Sequence, residues 1–130
     1  MTAEDELFVN EFMEKVREKF ETTKRYIVEF TKHCREEGPL SLRGLADARF
    51  PEIEKDCRLL YDGLELVVDG TDNELIEGWF DDVSLLTDNW VEAAYVGLVK
   101  RGILYINDGL RPETVKKLLD SGFDFNRKIL

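Results

Sequence analysis

From Glu4 to Glu36 the chain reads EDELFVNEFMEKVREKFETTKRYIVEFTKHCRE, with no glycine and no proline. Within it Val9, Met13, Val16, Phe20, Thr23, Ile27, Phe30 and Cys34 follow one another at alternating steps of four and three. At 3.6 residues per turn those steps keep side chains on one face of a helix. Sustained this long, they make a seam of the coiled-coil kind. Phe8, Phe12 and Tyr26 widen the stripe, and Gly38-Pro39 is a stop signal. The stretch predicts one helix over 4–37, on the order of 45 Å long at ~1.5 Å per residue. Such a helix in a small domain either packs along the whole body or protrudes to meet a partner.

The remainder of the chain also reads as helices. Leu40, Leu42 and Leu45 mark a short helical or turn segment. Pro51 suits the first turn of a helix. Ile53, Cys57, Leu60, Leu64 and Val67 repeat the seam spacing, so the pattern predicts a second helix over 51–68, ended by Asp69-Gly70. Thr71-Asp72-Asn73-Glu74 has the form of a capping box before a helix over 72–86. Thr87-Asp88 precedes a helix to about Asp108-Gly109, and Pro112 opens a last one to about Asp120. Phe123 and Phe125 are expected to fold back and bury their rings. No convincing strand is present. The expected fold is all-α: a single domain over 1–130, with the long helix of 4–37 packed on two helix–turn–helix units, 51–86 and 88–125, making five to six helices.

A shift of 39 residues brings the two units into register. Leu59-Leu60-Tyr61-Asp62-Gly63-Leu64 aligns with Leu98-Val99-Lys100-Arg101-Gly102-Ile103. Asp69-Gly70 and Glu74 then align with Asp108-Gly109 and Glu113. A mid-helix glycine costs about 1 kcal/mol relative to alanine. Gly63 and Gly102 spend it at equivalent places, which points to close helix approach at both. Asp69, Gly70, Thr71, Glu74, Asp108 and Gly109 are assigned turn and capping roles.

The 130 residues hold 28 acidic and 18 basic side chains, a formal net charge of −10. That balance argues against nucleic acid and anionic lipid surfaces as partners, which need basic patches. The longest apolar runs are too short to span a bilayer, and the acidic start Thr2-Ala3-Glu4-Asp5-Glu6 is unlike a leader peptide. A cytoplasmic location follows as the expectation. In the first long helix Glu11, Glu14, Glu18, Glu21 and Glu29 are largely balanced by Lys15, Arg17, Lys19, Lys24 and Arg25, and the opening Glu4-Asp5-Glu6 is not. From 62 to 92 there are ten acids and no Lys or Arg, and Asp81-Asp82 stand at the middle of that region. It is a candidate docking surface for a basic partner.

Two stretches resemble a known family. Glu37-Gly38-Pro39-Leu40-Ser41-Leu42 followed by Gly63-Leu64-Glu65-Leu66-Val67-Val68-Asp69-Gly70-Thr71-Asp72-Asn73-Glu74-Leu75-Ile76, and later Gly97 through Glu113, are similar to the cytoplasmic region of the MotA/TolQ/ExbB proton-channel family, and within it to the flagellar stator branch. The resemblance covers about half the chain. The membrane helices that flank and separate these segments in the family are absent here, so channel activity does not carry over. What the resemblance implies is a relative without transmembrane helices, its two cytoplasmic pieces joined directly. It further implies contact with a motor or membrane-complex protein through the charges after the first segment: Arg43, Asp47, Arg49, Glu52 and Glu54.

Signs of chemistry are few. Cys34 and Cys57 form no CxxC pair, and with His33 they fall short of a zinc set. His33 and Cys34 are neighbours on a helix, so they point about 100° apart and do not form a nucleophile pair. The cysteines read as small core residues and His33 as a solvated one. No phosphate-binding glycine loop, GxSxG or HExxH occurs. Glu36-Glu37 and Asp81-Asp82 lack the spacing of a calcium loop. The expectation is therefore a non-catalytic protein-interaction module without cofactor or metal. The alternative is a homo-oligomeric helical adaptor unrelated to motility, dimerised through the 9–34 seam.

Overall fold

A computed structural model describes residues 2–122, apart from the side chains of Phe50, Glu54, Lys55 and Asp56. Among the described residues every regular element is helical, as the periodicity predicts: α1 (Ala3–Glu37), a 3-10 turn at Pro39–Ser41, α2 (Leu42–Asp56), α3 (Arg58–Val68), α4 (Asn73–Leu85), α5 (Trp90–Asn107) and α6 (Pro112–Gly122). The expected burial of Phe123 and Phe125 falls outside the described residues.

The helices alternate in direction. Moving along α1, Phe20 meets the ring of Tyr95, Ile27 meets Gly102, and Arg35 donates to the Gly109 carbonyl. Both numbers rise together, so α1 and α5 run parallel. Gly63 meets Ile103 and, just past the end of α3, Thr71 meets Asn107, so α3 also runs parallel to α5. Glu29–Arg49 and Tyr26–Glu52 pairs run α2 back along α1. Lys100–Asp81 and Asn73–Asp108 run α4 back along α5, and α6 returns along α1, with Asp120 near Lys24. Helix α5 is the hub, packing on α1, α3, α4 and α6. Phe20, Ile27 and Phe30 of α1, Leu60 and Leu64 of α3, Phe80 of α4 and Leu98, Ile103 and Ile106 of α5 share one core.

The repeated glycines explain that packing. A Cβ on Gly63 would meet Ile103 Cγ1 at 2.6 Å and Phe80 Cζ at 3.0 Å. A Cβ on Gly102 would press into Ile27, with Cγ1 at 2.8 Å and Cγ2 at 2.9 Å. Both glycines let a neighbouring helix come closer than any side chain allows.

The Asp-Gly stops are also built twice. Gly70 has φ 74° and Gly109 φ 70°, left-handed values at which a Cβ is strained. Gly70 N–H donates to the Val67 carbonyl and Thr71 N–H to Leu66. At the equivalent turn Gly109 donates to Ile106 and Leu110 to Tyr105. This is the Schellman arrangement, which satisfies the last carbonyls of a helix.

Three local expectations change. The helix expected over 51–68 is two helices, broken at Cys57 (φ −142°, ψ 40°), and Pro51 lies inside α2 rather than opening a helix. The apolar spacing runs through the break undisturbed, which is why it hides it. Thr71 does not cap α4: its amide closes the preceding turn, and the N-cap is Asp72, without a side-chain cap bond. Glu74 keeps its place in the acidic first turn, where a carboxylate favours the helix N-terminus. The cap of α5 is Asn89, whose Oδ1 accepts from Glu92 N–H at 2.9 Å, while the Thr87 hydroxyl donates backward to Ser84.

Candidate functional site

The charges after the first family-like segment sit on α2, and each one described is already engaged. Arg43 lies 3.7 Å from Asp69, both well exposed. Asp47 accepts from the Tyr61 hydroxyl at 2.8 Å. Arg49 donates through Nε and Nη2 to Glu29 Oε1, at 3.1 and 2.9 Å. Glu52 accepts from the Tyr26 hydroxyl at 2.7 Å. Burial, then the Glu52 carboxylate, push the Tyr26 hydroxyl up to about 12. The side chain of Glu54 lies outside the described ones. These residues strap α2 to α1 on one side and α3 on the other, so a partner reaching for them competes with the chain itself.

Asp81 and Asp82 lie elsewhere, on α4, which packs on α5. Asp81 pairs with Lys100 at 2.8 Å, and Asp82 is exposed. The core side of α4 is carried by Ile76 and Phe80. Its outward side carries Leu75, Gly78, Asp82, Leu85 and, just past its end, Leu86, all exposed. At ~100° per residue these five share one stripe, flanked by Glu74, Glu77 and Asp81. A Cβ on Gly78 would meet nothing within 4 Å. The result is a strip of exposed leucines with Asp82 among them, flat at Gly78 and acidic along one edge. The acid was legible in the sequence. The leucines were not, because Leu75, Leu85 and Leu86 count equally well as core in a helical pattern.

The interior shows the cysteines in structural positions. Cys34 and Cys57 are both buried and unbonded to each other. Burial pushes the Cys34 thiol up, away from a reactive thiolate. Cys57 Sγ lies 3.1 Å from the Thr23 hydroxyl, which also lies 3.0 Å from the Tyr95 hydroxyl and donates to the Lys19 carbonyl. His33 is half-buried rather than fully solvated. Buried Lys24 is paired with Glu21 at 3.0 Å beside a cavity of about 160 Å³ between α1 and α6. That is smaller than the ~300 Å³ from which ligand pockets start. Among the described residues no three His, Cys, Asp or Glu converge to hold a metal, and no helix is long and apolar enough to cross a membrane.

Helix α1 divides into a buried part and an exposed part. Its seam is buried from Val16 to Cys34, Val28 and its like flanking, but from Ala3 to Lys15 nothing is buried. Phe8 is 70% exposed, Val9 44% and Phe12 48%. The seam is continuous in sequence but only part of it has a body to pack on. Because α1 and α5 run in step, the first turn of α5 lies level with the residues near Lys15, and among the described residues of α1 before Lys15 only Met13 is half-buried. The larger part of the 9–34 seam, from Val16 to Cys34, is part of the chain's own core.

Compared with known proteins, the chain matches no family model, and no curated protein or solved structure matches it.

Proposed function

We propose that the chain is a non-catalytic, cytoplasmic protein-interaction module whose outward face of α4 takes a basic, amphipathic segment of a motor or membrane-complex protein. The observation that carries this reading is the α4 stripe: exposed Leu75, Leu85 and Leu86 around Gly78 and Asp82, bordered by acids, in a region without Lys or Arg from 62 to 92. Apolar contact there supplies affinity, and the acidic border supplies steering and selects against acidic partners. The partner class comes from the resemblance of the α3–α4 turn sequence to the stator family.

The test compares the wild-type chain with the variant D81K/D82K as bait in lysate of the native host. The variant loses only the exposed Asp81–Lys100 pair, worth under ~1 kcal/mol, so it stays folded by circular dichroism. A motor or membrane-complex protein is expected on the wild type, reduced at least tenfold on the variant, with capture weakening as salt rises. Recovery of no such protein, together with unchanged motility when the gene is deleted, would sink the proposal.

A further inference from the structure

Helix α6 points toward the exposed part of α1. It runs back along α1, with Pro112 and Glu113 beside Arg35, and Leu119 and Asp120 beside Glu21 and Lys24. Asp120 Oδ1 lies 3.8 Å from Lys24 Nζ, and α6 ends two residues later at Gly122. The end of α6 is therefore level with the turn of α1 that holds Glu21. From Glu21, every fourth residue back along α1 is Arg17, Met13, Val9 and Asp5. Four residues turn ~40° past a full circle, so this row starts at the α6 contact and slants onto the apolar stripe. It leaves to one side Val16 and Phe20, which are buried. Arg17, Val9 and Asp5 are exposed, and Met13 is half-buried.

The row presents a base, two apolar side chains and an acid, in that order. The residues after α6, 123–130, lie outside the described ones and read FDFNRKIL. They carry the complementary order: Asp124, then Phe125, then Arg127 and Lys128. We propose that this segment docks in extended form along the row of its own chain, with Asp124 on Arg17, Phe125 on Met13 and Val9, and Arg127 on Asp5. The reach suffices, since the sixteen residues from Glu21 to Asp5 span ~24 Å of helix and eight extended residues span ~26 Å. Asp5 argues for a cation in the occupant. Its Oδ2 accepts from the Thr2 hydroxyl at 2.8 Å and from the Thr2 N–H at 3.1 Å, which hold its carboxyl below the ordinary range. A charged carboxylate amid Phe8, Val9 and Phe12 is best covered by a base, and Arg127 brings one. At the other end, Arg17 makes an exposed 3.4 Å contact with Glu14, a pair that gives way easily. Tethering through α6 keeps the segment near the row at an effective concentration on the order of millimolar, so modest contacts hold it.

The test places a nitroxide on the segment through N126C, the native Cys34 and Cys57 being buried, and reads the amide NMR signals of the full chain. Signals from Val9 to Met13 are expected to be lost, while those of Val67 and Ile106 at the far end of the bundle persist, and dilution leaves the pattern unchanged. F123S/F125S restores the lost signals with the helical circular dichroism unaltered. R17E restores them in part, and R17E/D124K brings the loss back, because the pair is again opposite in sign. Signals that persist from Val9 to Met13 in the parent N126C chain overturn the proposal. A loss equally strong in F123S/F125S overturns it too, since it marks chance proximity. A loss found only between a nitroxide-bearing chain and a separate isotope-labelled one makes a second copy the occupant, and it likewise overturns docking within the chain. Failure of R17E/D124K to recover the loss overturns the pairing and with it the register. None of these outcomes bears on the α4 surface.

Discussion

Gly102 has no side chain because Ile27 already occupies the space. Adding a methyl there gains the ~1 kcal/mol that alanine holds over glycine in a helix. It also forces Cγ1 and Cγ2 of a fully buried isoleucine to move, and overpacking of this kind costs ~1–3 kcal/mol. G102A is therefore expected to lower stability by about 1 kcal/mol net, seen as a reduced urea midpoint. G78A, with open space around its Cβ, is the control and should raise the midpoint. These two glycines show where sequence is informative. Gly63 and Gly102 announced close approach because they recur at one spacing. Gly78 has no counterpart at that spacing, where Lys117 stands, and the space around it is open. Thr23 reads as a weak seam position, and only the fold reveals that its hydroxyl joins Lys19, Cys57 and Tyr95.

At the scale of elements, the two repeated turns are laced together. Asn107 donates through Nδ2 to the Thr71 carbonyl at 3.1 Å and to Asn73 Oδ1 at 2.8 Å, and Asn73 donates to Asp108 Oδ1 at 2.6 Å. The lacing sets the α3–α4 hairpin against the α5–α6 hairpin. N107A removes two partly buried bonds and is expected to cost ~1–2 kcal/mol in chemical denaturation. Amides of the 70–73 turn should exchange faster in the same variant. Helix ends at Gly38, Gly70 and Gly109 were legible because a left-handed backbone favours glycine. The break at Cys57 was not, because no glycine or cap marks it and the apolar steps of four and three cross it unchanged. The starts of α4 and α5 were each read one or two residues early, since Thr, Asp and Asn all make good caps and only the path of the chain chooses among them.

For the molecule as a whole, a formal charge of −10 on 130 residues means self-repulsion in the folded state. Raising ionic strength from about 0.01 M to about 0.15 M shortens the screening length from ~30 Å to ~8 Å. The melting temperature is expected to rise over that range by roughly 3–5 °C, on the order of 1 kcal/mol. Calorimetry checks it, and a fall in melting temperature would show that the ion pairs outweigh the repulsion. The all-helical class was legible from periodicity alone. The division of α1 into a buried part and a bare part was not, since periodicity records which side of a helix is apolar and says nothing of how far its neighbours extend.

The parallel course of α1 and α5 has a consequence in time. Phe20, Ile27 and Phe30 leave the ribosome early, yet the residues that cover them come some 72 positions later, as the Thr23–Tyr95 bond measures. At ~5–20 residues per second that gap lasts on the order of 4–15 seconds. For those seconds a complete amphipathic helix stands finished and uncovered in the crowded space at the tunnel mouth. During that interval the seam is open to any apolar surface it meets, well before the mature fold exists to cover it.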